Sequence, residues 1–311
     1  MTTNGVNGEK PNGQNLDAAK FTEAVVASMG EKTPERLREV ITSLTRHLHA
    51  FILETNLTTK EFMAGLELMN WAGQMSDQRR NEGLLLSDVL GLESLVDSVT
   101  SHELGMDNAA TTSSAILGPF WRSDTPVREF GSTMTFDTPP DAEVAYIHGV
   151  VTDAVTGEPL KNALVDVWQC STNGLYEQQD PNQREFNLRG KFHTNDQGQY
   201  ALYGIRPVPY PVPSDGPAGK LLQLLDRHPF RPAHIHYMTS KEGYATLVTQ
   251  IFDRKTKYLD NDSVFATKTD LVVDFVPKKG DPNATLDLEC NIALSPLRER
   301  ATGGGNARYS T

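Results

Sequence analysis

The sequence predicts an α+β protein in which an N-terminal helical region packs on an antiparallel β-sandwich domain. Two observations predict this fold. Apolar residues recur at helical spacing through residues 18–105. Beyond about residue 137 the pattern changes to short apolar segments separated by Gly, Pro and Asp turns, which is typical of an antiparallel sandwich. We therefore divide the chain into a disordered N-terminus (residues 1–17), a helical region with a linker (18–137), a sandwich domain (138–300) and a flexible tail (301–311).

Start signals mark two of the expected helices. Thr33 precedes Pro34, a pair that predicts an N-cap followed by proline at the first helical position. Thr58 and Glu61 have the spacing of a capping box, which opens a third helix. Residues 84–98 form a further stretch with helical periodicity. The apolar residues at helical spacing after Pro34 are Leu37, Val40, Ile41, Leu44, Leu48, Phe51 and Ile52.

The second half of the chain is expected to form short strands. Residues 146–152 and 163–168 make a strand pair around a turn at residues 153–159. The proline-rich segment 206–217 is too irregular for a helix or a strand, and a long loop inside a compact domain is usually functional. Further strands are expected over residues 191–194, 199–202, 234–239, 246–251, 271–275 and 286–292.

Composition narrows the classes of function. The 311 residues carry a formal net charge of −11, which argues against nucleic-acid binding and gives no general attraction for an anionic substrate. Only two cysteines occur, Cys170 and Cys290, so we expect a reducing, cytoplasmic location rather than a disulfide framework. The first residues lack the apolar run of a signal peptide, and no stretch approaches the roughly 20 apolar residues of a membrane span.

The segment from Arg231 to Tyr237 predicts a metal site. Pro232 favours an extended backbone before it, and side chains two apart on a strand point to the same face. His234 and His236 would then form a clamp, although histidines in such a segment also serve as packing or surface residues. Two tyrosines upstream of the histidines, Tyr176 and Tyr210, are candidates for further metal ligands and narrow the choice of metal. A phenolate is a hard anionic donor, so ferric iron fits better than zinc or calcium.

Four features together carry a resemblance to a known family. Tyr176 follows an Asn-Gly turn, Tyr210 lies in the proline-rich loop, and the histidines stand in an Arg-Pro-x-His-x-His motif. From about Thr33 to about Leu297 the chain resembles the intradiol ring-cleaving dioxygenases of the catechol and hydroxyquinol type. The resemblance implies Tyr176, Tyr210, His234 and His236 as ligands of a ferric ion. It also implies a small aromatic diol or triol and dioxygen as substrates.

The same resemblance implies roles for individual side chains. Tyr210 corresponds to the ligand that leaves the metal on substrate binding and takes up a proton. Arg231 would stabilise negative charge that develops on the substrate, and Gln250 matches an active-site glutamine of the family. The alternatives are a surface ion pair for Arg231 and an exposed strand residue for Gln250.

The expected pocket wall favours hydroxyquinol. Residues 85–91 resemble the hydroxyquinol enzymes, in which an acidic residue reaches the pocket, and Asp88 could accept a hydrogen bond from a third ring hydroxyl. The alternatives are a helix cap or surface carboxylate for Asp88, and a simple turn at Gly118 and Pro119. The expected substrate-binding residues are Leu85, Asp88, Leu117, Gly118, Pro119, Phe120, Val212, Pro213, Arg231 and Val264.

The function implied is intradiol cleavage of hydroxyquinol in aromatic catabolism, giving 3-hydroxy-cis,cis-muconate, which tautomerises to maleylacetate. One alternative is cleavage of catechol to cis,cis-muconate. An alternative of another class is a non-catalytic β-sandwich binding module, because sandwiches serve both roles. The resemblance further implies a homodimer formed through the N-terminal helices, with a bound lipid at that interface as an additional expectation.

Overall fold

A computed structural model describes residues 17–78, 80–106 and 110–297. Its contacts divide the chain into two compact units between Glu67 and Leu68, a boundary that falls within one helix. The predicted disorder of residues 1–16 and the predicted flexible tail over residues 301–311 lie outside the described residues. Asp17, the last residue of the predicted disordered segment, caps the first helix by accepting the backbone N–H of Lys20 at 3.1 Å.

The first unit contains helices α1 (Ala18–Ala27) and α2 (Glu35–Thr55) and the start of α3 (Thr59–Met75). The predicted capping box is confirmed: the backbone N–H of Thr58 donates to Oε2 of Glu61 at 2.8 Å, and the N–H of Glu61 donates to Oγ1 of Thr58 at 3.3 Å. The predicted cap before α2 is wrong by one residue. Pro34 precedes the helix with an extended backbone, so it occupies the cap position instead of the first turn.

Further helices belong to the second unit. The stretch 84–98 forms two helices, α4 (Glu82–Val89) and α5 (Leu92–Glu103), because the backbone turns at Gly91, which has a φ of 73°. Helix α6 (Pro217–Leu224) was not predicted. The buried side chain of Glu82 joins α4 to the start of α6 by accepting the N–H of Ala218 at 3.1 Å. No helix in the described part of the chain is long and apolar enough to span a membrane.

The strands form two large sheets and one small ribbon. One sheet has the order β1-β4-β3-β8-β9-β10, comprising Val127–Arg128, Arg189–His193, Leu164–Trp168, His234–Ser240, Leu247–Asp253 and Val272–Val273. The other has the order β11-β12-β2-β13 with β5 paired to β2, comprising Val276–Pro277, Leu286–Glu289, Val144–Asp153, Ile292–Leu294 and Gln199–Ile205. The ribbon pairs β6 (Tyr210–Pro211) with β7 (Phe230–Arg231).

The β-sandwich expectation is confirmed, with sheets that are mixed rather than wholly antiparallel. The pairs β3–β4, β3–β8, β8–β9 and β2–β5 are antiparallel. The pairs β1–β4, β9–β10, β2–β12 and β2–β13 are parallel. The segment 206–217, predicted to be irregular throughout, contains the short strand β6 and the first residue of α6.

Strand β8 has two buried faces. Ile235 and Tyr237 lie in the apolar core to which both sheets contribute. His234 and His236 therefore point to the opposite face, where a second cluster that includes Trp168, Tyr176 and Tyr210 covers them. The side-chain alternation expected from the sequence is thus present, and it places both histidines on one face in a dry environment.

Candidate active site

The Asn-Gly turn positions Tyr176. The N–H of Gly174 donates to the carbonyl of Ser171 at 2.9 Å, and Gly174 has a φ of 77°, which favours glycine. A Cβ atom at this position would lie only 3.0 Å from Cβ of Tyr210. The turn therefore lets the backbone before Tyr176 approach the second tyrosine closely. The ring of Phe120 stacks on Tyr176 with centroids 4.5 Å apart.

The ribbon of β6 and β7 positions Tyr210 and Arg231, which are paired directly across it. Arg231 lies on a strand that is separate from β8, and its Nη1 is 2.9 Å from Nε2 of His234. The ribbon thus brings a tyrosine and an arginine to the same side of the histidine pair.

Four donor atoms converge at one point. Nε2 of His234 is 3.2 Å from Nε2 of His236 and 3.4 Å from Oη of Tyr210, and the two tyrosine Oη atoms are 3.3 Å apart. Donors bound to one ion at about 2 Å in a tetrahedral arrangement are separated by roughly 3 Å, so these spacings fit a single metal ion. All four side chains are at most 4% exposed.

Hydrogen bonding and burial keep both histidines in the neutral form that a metal ligand requires. Nδ1 of His234 lies 2.7 Å from the carbonyl oxygen of Pro232, which can only accept, so Nδ1 carries the proton and Nε2 presents a lone pair. Burial, and then the charge of Arg231, holds the pKa of His234 well below its ordinary value. Burial and the neighbouring His234 do the same for the pKa of His236. Both imidazoles are therefore neutral at pH 7, as metal ligation requires.

The tyrosines need a cation before they can ionise. Burial raises the pKa of Tyr176 well above its ordinary value, and the neighbouring Tyr210 raises it further. Burial also raises the pKa of Tyr210, but the positive charge of Arg231 opposes that effect. A multiply charged metal ion would supply the missing stabilisation of two phenolates, whereas without one both would remain phenols.

Arg231 is held by a buried network. Its Nε and Nη2 donate to the two carboxylate oxygens of Asp262 at 3.2 Å each, and Nη2 also donates to Oε1 of Gln250 at 2.7 Å. Gln250 in turn donates to the carbonyl of Ile116 at 2.7 Å. Arg231 is 3% exposed and Gln250 is fully buried, so the surface alternatives for both residues are wrong. Burial opposes the charge of Arg231, yet Asp262 and the tyrosines raise its pKa, so the guanidinium stays charged.

A small cavity opens beside Tyr210 and Arg231. Most of the predicted wall residues line it, together with Ile116, which was not predicted. Its lining comprises Leu85, Asp88, Ile116, Pro119, Phe120, Tyr210, Val212, Arg231 and Val264.

Three predicted wall residues do not line this cavity. Leu117 is half-buried in the cluster around Tyr176, and Pro213 is half-buried beyond Val212. Gly118, with a φ of 72°, packs against His236, and a Cβ there would lie 3.2 Å from Cε1 of the histidine. It therefore supports a predicted ligand rather than the cavity wall.

Asp88 lines the cavity, and the sequence does not indicate whether its carboxyl group is ionised. It is 1% exposed, and Asn81 provides the cap of α4, so Asp88 is neither a surface carboxylate nor the cap of that helix. Burial, and then a hydrogen bond with the carboxyl group of Glu93, raises the pKa of Asp88 to about 10. The residue therefore faces the cavity as an acid that shares its environment with a second carboxyl group.

Sequence reasoning missed several contributors. Asp262 follows Arg231 by 31 residues. Glu93 lies on α5, whereas Asp88 lies on α4. Neither Asp262 nor Glu93 is therefore part of a local sequence pattern that indicates the site. Trp168 stacks on His236 with centroids 4.8 Å apart and an interplanar angle of 10°. Its place at the end of the strand predicted over residues 163–168 was the one local signal, but the pairing of that strand with β8 was not predicted.

Two family profiles match this chain. One is described as the N terminus of catechol dioxygenases and matches residues 34–105; the other is described as dioxygenase and matches residues 116–296. An intradiol ring-cleavage dioxygenase of Aspergillus niger is 50% identical over 275 residues, covering 88% of this chain and 87% of its own. A catechol 1,2-dioxygenase of Candida albicans is 44% identical, with 93% and 96% of the two chains covered.

A solved structure of a dioxygenase is also similar to this chain in sequence and fold. The hydroxyquinol 1,2-dioxygenase of Pseudomonas putida DLL-E4 superposes with a TM-score of 0.79 at 34% identity, covering 90% of this chain and 98% of that one. The similarity thus extends over sequence and fold, and over helices and sandwich together.

Proposed function

Because the chain belongs to the intradiol ring-cleaving dioxygenases, we propose that its substrate is hydroxyquinol (1,2,4-trihydroxybenzene) and its metal is ferric iron. The ring would open between the two adjacent carbons that carry hydroxyl groups, and both atoms of dioxygen would enter the product. That product is 3-hydroxy-cis,cis-muconate, which tautomerises to maleylacetate. The observation that carries the substrate assignment is the buried carboxyl group of Asp88 in the cavity wall.

The donor set supports ferric iron as the metal. Tyr176 and Tyr210 would bind as phenolates and His234 and His236 as neutral imidazoles, a set of hard oxygen and borderline nitrogen donors. When bound, the ion would supply the positive charge that lets a diol bind as its dianion. Two phenolates leave one positive charge on a ferric site, which suits a dianionic ligand when one tyrosinate departs as a phenol.

The surrounding residues would bind and orient the diol and accept its proton. We assign Tyr210 as the proton acceptor for the diol, because Arg231 lies across the ribbon from it and favours charge at its Oη. Arg231 would then stabilise negative charge on the ring, held in place by Asp262 and Gln250. The apolar side chains of Leu85, Val212 and Val264 would exclude water.

Catechol remains the second candidate, and one observation favours it. The Candida albicans relative at 44% identity acts on catechol by its name. Catechol lacks the third hydroxyl and would leave Asp88 without a partner on the ligand. A buried polar group left unpaired costs about 1–3 kcal/mol, so such a wall would discriminate against catechol.

Oxygen uptake with hydroxyquinol and with catechol tests the substrate directly. We expect kcat/KM to favour hydroxyquinol and Asp88→Ala to reduce that preference by about ten- to a hundredfold, because a buried polar group that the ligand leaves unpaired costs about 1–3 kcal/mol. A wild-type enzyme that prefers catechol would refute the assignment. Equal losses on both substrates in Asp88→Ala would show that Asp88 only supports the fold.

Metal content tests the second half of the proposal. We expect stoichiometric iron and a broad visible absorption band that shifts when the diol is added without oxygen. Both His234→Ala and His236→Ala should lose most of the iron. A colourless, iron-free protein with full activity would refute the metal assignment and not the substrate.

A further inference from the structure

A second buried guanidinium lies close to the predicted metal ligands, on the side of Tyr176. Arg189 is the first residue of β4, where it is paired across the sheet with Trp168, and its side chain is fully buried. Its Cζ atom is 5.7 Å from the centroid of the Tyr176 ring. Arg189 does not line the cavity beside Tyr210, so any effect it has on the site would be exerted through Tyr176.

Arg189 binds the side chains of the two residues that follow Tyr176 in the sequence. Its Nε donates to Oε2 of Glu177 at 2.6 Å, and its Nη2 donates to Oε1 of Gln178 at 2.6 Å. The same turn is closed by Gln179, whose Oε1 accepts the N–H of Tyr176 at 3.0 Å and whose own N–H donates to the Tyr176 carbonyl at 2.9 Å. A guanidinium from a sheet strand therefore fixes the backbone that carries the tyrosine.

The charge of Arg189 is only partly balanced. Glu177, its ion-pair partner, is itself buried, and its other oxygen, Oε1, accepts Nη1 of Arg122 at 2.9 Å. One buried carboxylate thus serves two guanidinium groups. Nη1 of Arg189 is buried and finds no hydrogen-bond partner among the described residues. The arrangement leaves an excess of positive charge in a dry environment beside Tyr176.

We propose that Arg189 is a positioning residue for Tyr176, because it holds the turn that carries this tyrosine and places a fixed positive charge beside its ring. The inference rests on the proposed function, in which Tyr176 binds ferric iron as a phenolate. A guanidinium stays charged in proteins, and a cation is attracted to an aromatic ring. Each predicted tyrosine ligand then has its own buried arginine, Arg231 for Tyr210 and Arg189 for Tyr176. The charge of Arg189 would weaken the electron donation of the Tyr176 phenolate to the metal.

The visible spectrum of the iron-loaded protein without substrate distinguishes charge from packing. Arg189→Met removes the charge, so the Tyr176 phenolate should donate more strongly and the absorption band should move to longer wavelength. Arg189→Lys keeps the charge but loses the forked hydrogen bonds, so the band should stay near its wild-type position. Iron affinity should fall by about ten- to a hundredfold in Arg189→Met, as is typical when the support of a metal ligand is lost, and recover in part in Arg189→Lys.

Arg122→Met is the matched control. Arg122 pairs with the same carboxylate, Glu177, but it is partly exposed, and its guanidinium lies over the ring of Phe186. Its other carboxylate partners, Asp124 and Glu185, are exposed to solvent. We expect this variant to lose stability and to keep the absorption band and the iron affinity of the wild type.

Glu177→Gln should reverse the sign of the spectral effect. It removes the negative charge next to Arg189, so the unbalanced guanidinium should move the band to shorter wavelength, which a loss of packing alone would not do. Equal shifts in Arg189→Met and Arg189→Lys overturn the inference, as does a folded Arg189→Met protein with wild-type band and iron affinity. If Arg189→Met does not fold, an unchanged or longer-wavelength band in Glu177→Gln overturns it. A wild type that binds no iron overturns the proposed function instead.

Discussion

At the scale of single residues, the site depends on a buried positive charge. Arg231 is 3% exposed, and Asp262 supplies its counter-charge from a segment that also donates the N–H groups of Val264 and Ala266 to that carboxylate. The carboxylate is thus saturated with donors, and the guanidinium is fixed on two sides by Asp262 and Gln250. A fixed charge in a buried site stabilises developing charge without having to reorient, so in the proposed reaction the orientation of Arg231 would depend on these two partners.

The first prediction concerns Asp262→Asn. Loss of one charge from a buried ion pair costs up to about 3–5 kcal/mol in unfolding free energy, and the freed guanidinium would lose its orientation. We expect a lower melting temperature and a kcat reduced by at least tenfold, with bound iron retained. Calorimetry, steady-state kinetics and iron analysis measure these effects. Asp274→Asn, which removes an exposed partner of Arg254, should change none of them.

The second prediction separates the two tyrosines. If Tyr210 accepts a proton from the diol, Tyr210→Phe should retain part of its iron and its visible colour but turn over slowly. Tyr176→Phe should change mainly the metal affinity and the absorption maximum, because Tyr176 has no contact with Arg231 comparable to that of Tyr210. Spectra and turnover of the iron-loaded variants decide the matter. Identical behaviour of both would contradict the assigned roles.

At the scale of elements, turns and short ribbons set the positions of the predicted metal ligands. Strand β8 alone provides both histidines, and the β6–β7 ribbon provides Tyr210 opposite Arg231. The turn at Gly174 then determines how closely Tyr176 approaches Tyr210. Three separate elements must therefore pack correctly before Nε2 of His234 comes within 3.4 Å of Oη of Tyr210, and the two Oη atoms within 3.3 Å of each other.

The third prediction is that Gly174→Ala disrupts the metal site by contact as well as by backbone strain. A left-handed conformation costs a non-glycine residue about 1–2 kcal/mol, and here the added methyl would also press on Tyr210. Gly131→Ala is the matched control, because Gly131 has a similar φ of 74° and open space around its Cβ position. We expect equal strain in both variants but loss of iron only in Gly174→Ala, measured by metal analysis and thermal unfolding. Equal iron content would show that the contact is harmless.

At the scale of the whole molecule, apolar side chains are more exposed on α2 of the first unit than in the sandwich core of the second unit. The apolar residues predicted at helical spacing on α2 are 36–50% exposed, although the same chain buries nearly all of the apolar side chains of its sandwich core. Exposed apolar surface on this scale usually marks an interface. The homodimer and its bound lipid, which the family resemblance implies, stay predictions.

The fourth prediction tests the dimer. The double variant Leu44→Glu and Leu48→Glu places two charges on α2, where each leucine is 50% exposed. We expect the wild type to sediment as a dimer and this variant as a monomer with its fold intact, because buried unpaired charges are strongly unfavourable. Val155→Glu, at a site that is 77% exposed on the sandwich, should stay dimeric. A monomeric wild type would refute the expectation, and mass spectrometry of an organic extract would reveal any lipid.

The fifth prediction is a pH dependence of stability. The folded-state pKa of Asp88 is raised to about 10, so above the ordinary value of an aspartate the unfolded chain releases a proton that the folded chain keeps. Wild-type stability should therefore fall with rising pH relative to Asp88→Asn, by up to about 1.4 kcal/mol per pH unit. Urea unfolding of iron-loaded protein at pH 6 and pH 8 measures the difference. Parallel curves would show that Asp88 is ionised in the folded enzyme.

The sequence alone determined what local pattern can encode. Side-chain alternation placed His234 and His236 on one face of a strand, and the capping box at Thr58 and Glu61 marked the start of α3. Backbone geometry sets the relative directions of side chains that are close together in the sequence, so such features can be predicted without knowledge of the tertiary structure. The functional role expected for the proline-rich segment stays a prediction, and its short strand and the helix that follows it were not predicted.

Only the tertiary structure decided the contacts between distant segments. Asp262 contacts Arg231 although the two residues are 31 positions apart in the sequence. Asp88 and Tyr210 line the same cavity because α4 packs against α6 within the second unit. The ionisation of Asp88 could not be deduced from its residue type, because it depends on burial and on a second carboxyl group from the next helix. Desolvation and neighbouring charges depend on which residues surround a side chain in the folded protein. They therefore determine ionisation states that the sequence alone does not specify.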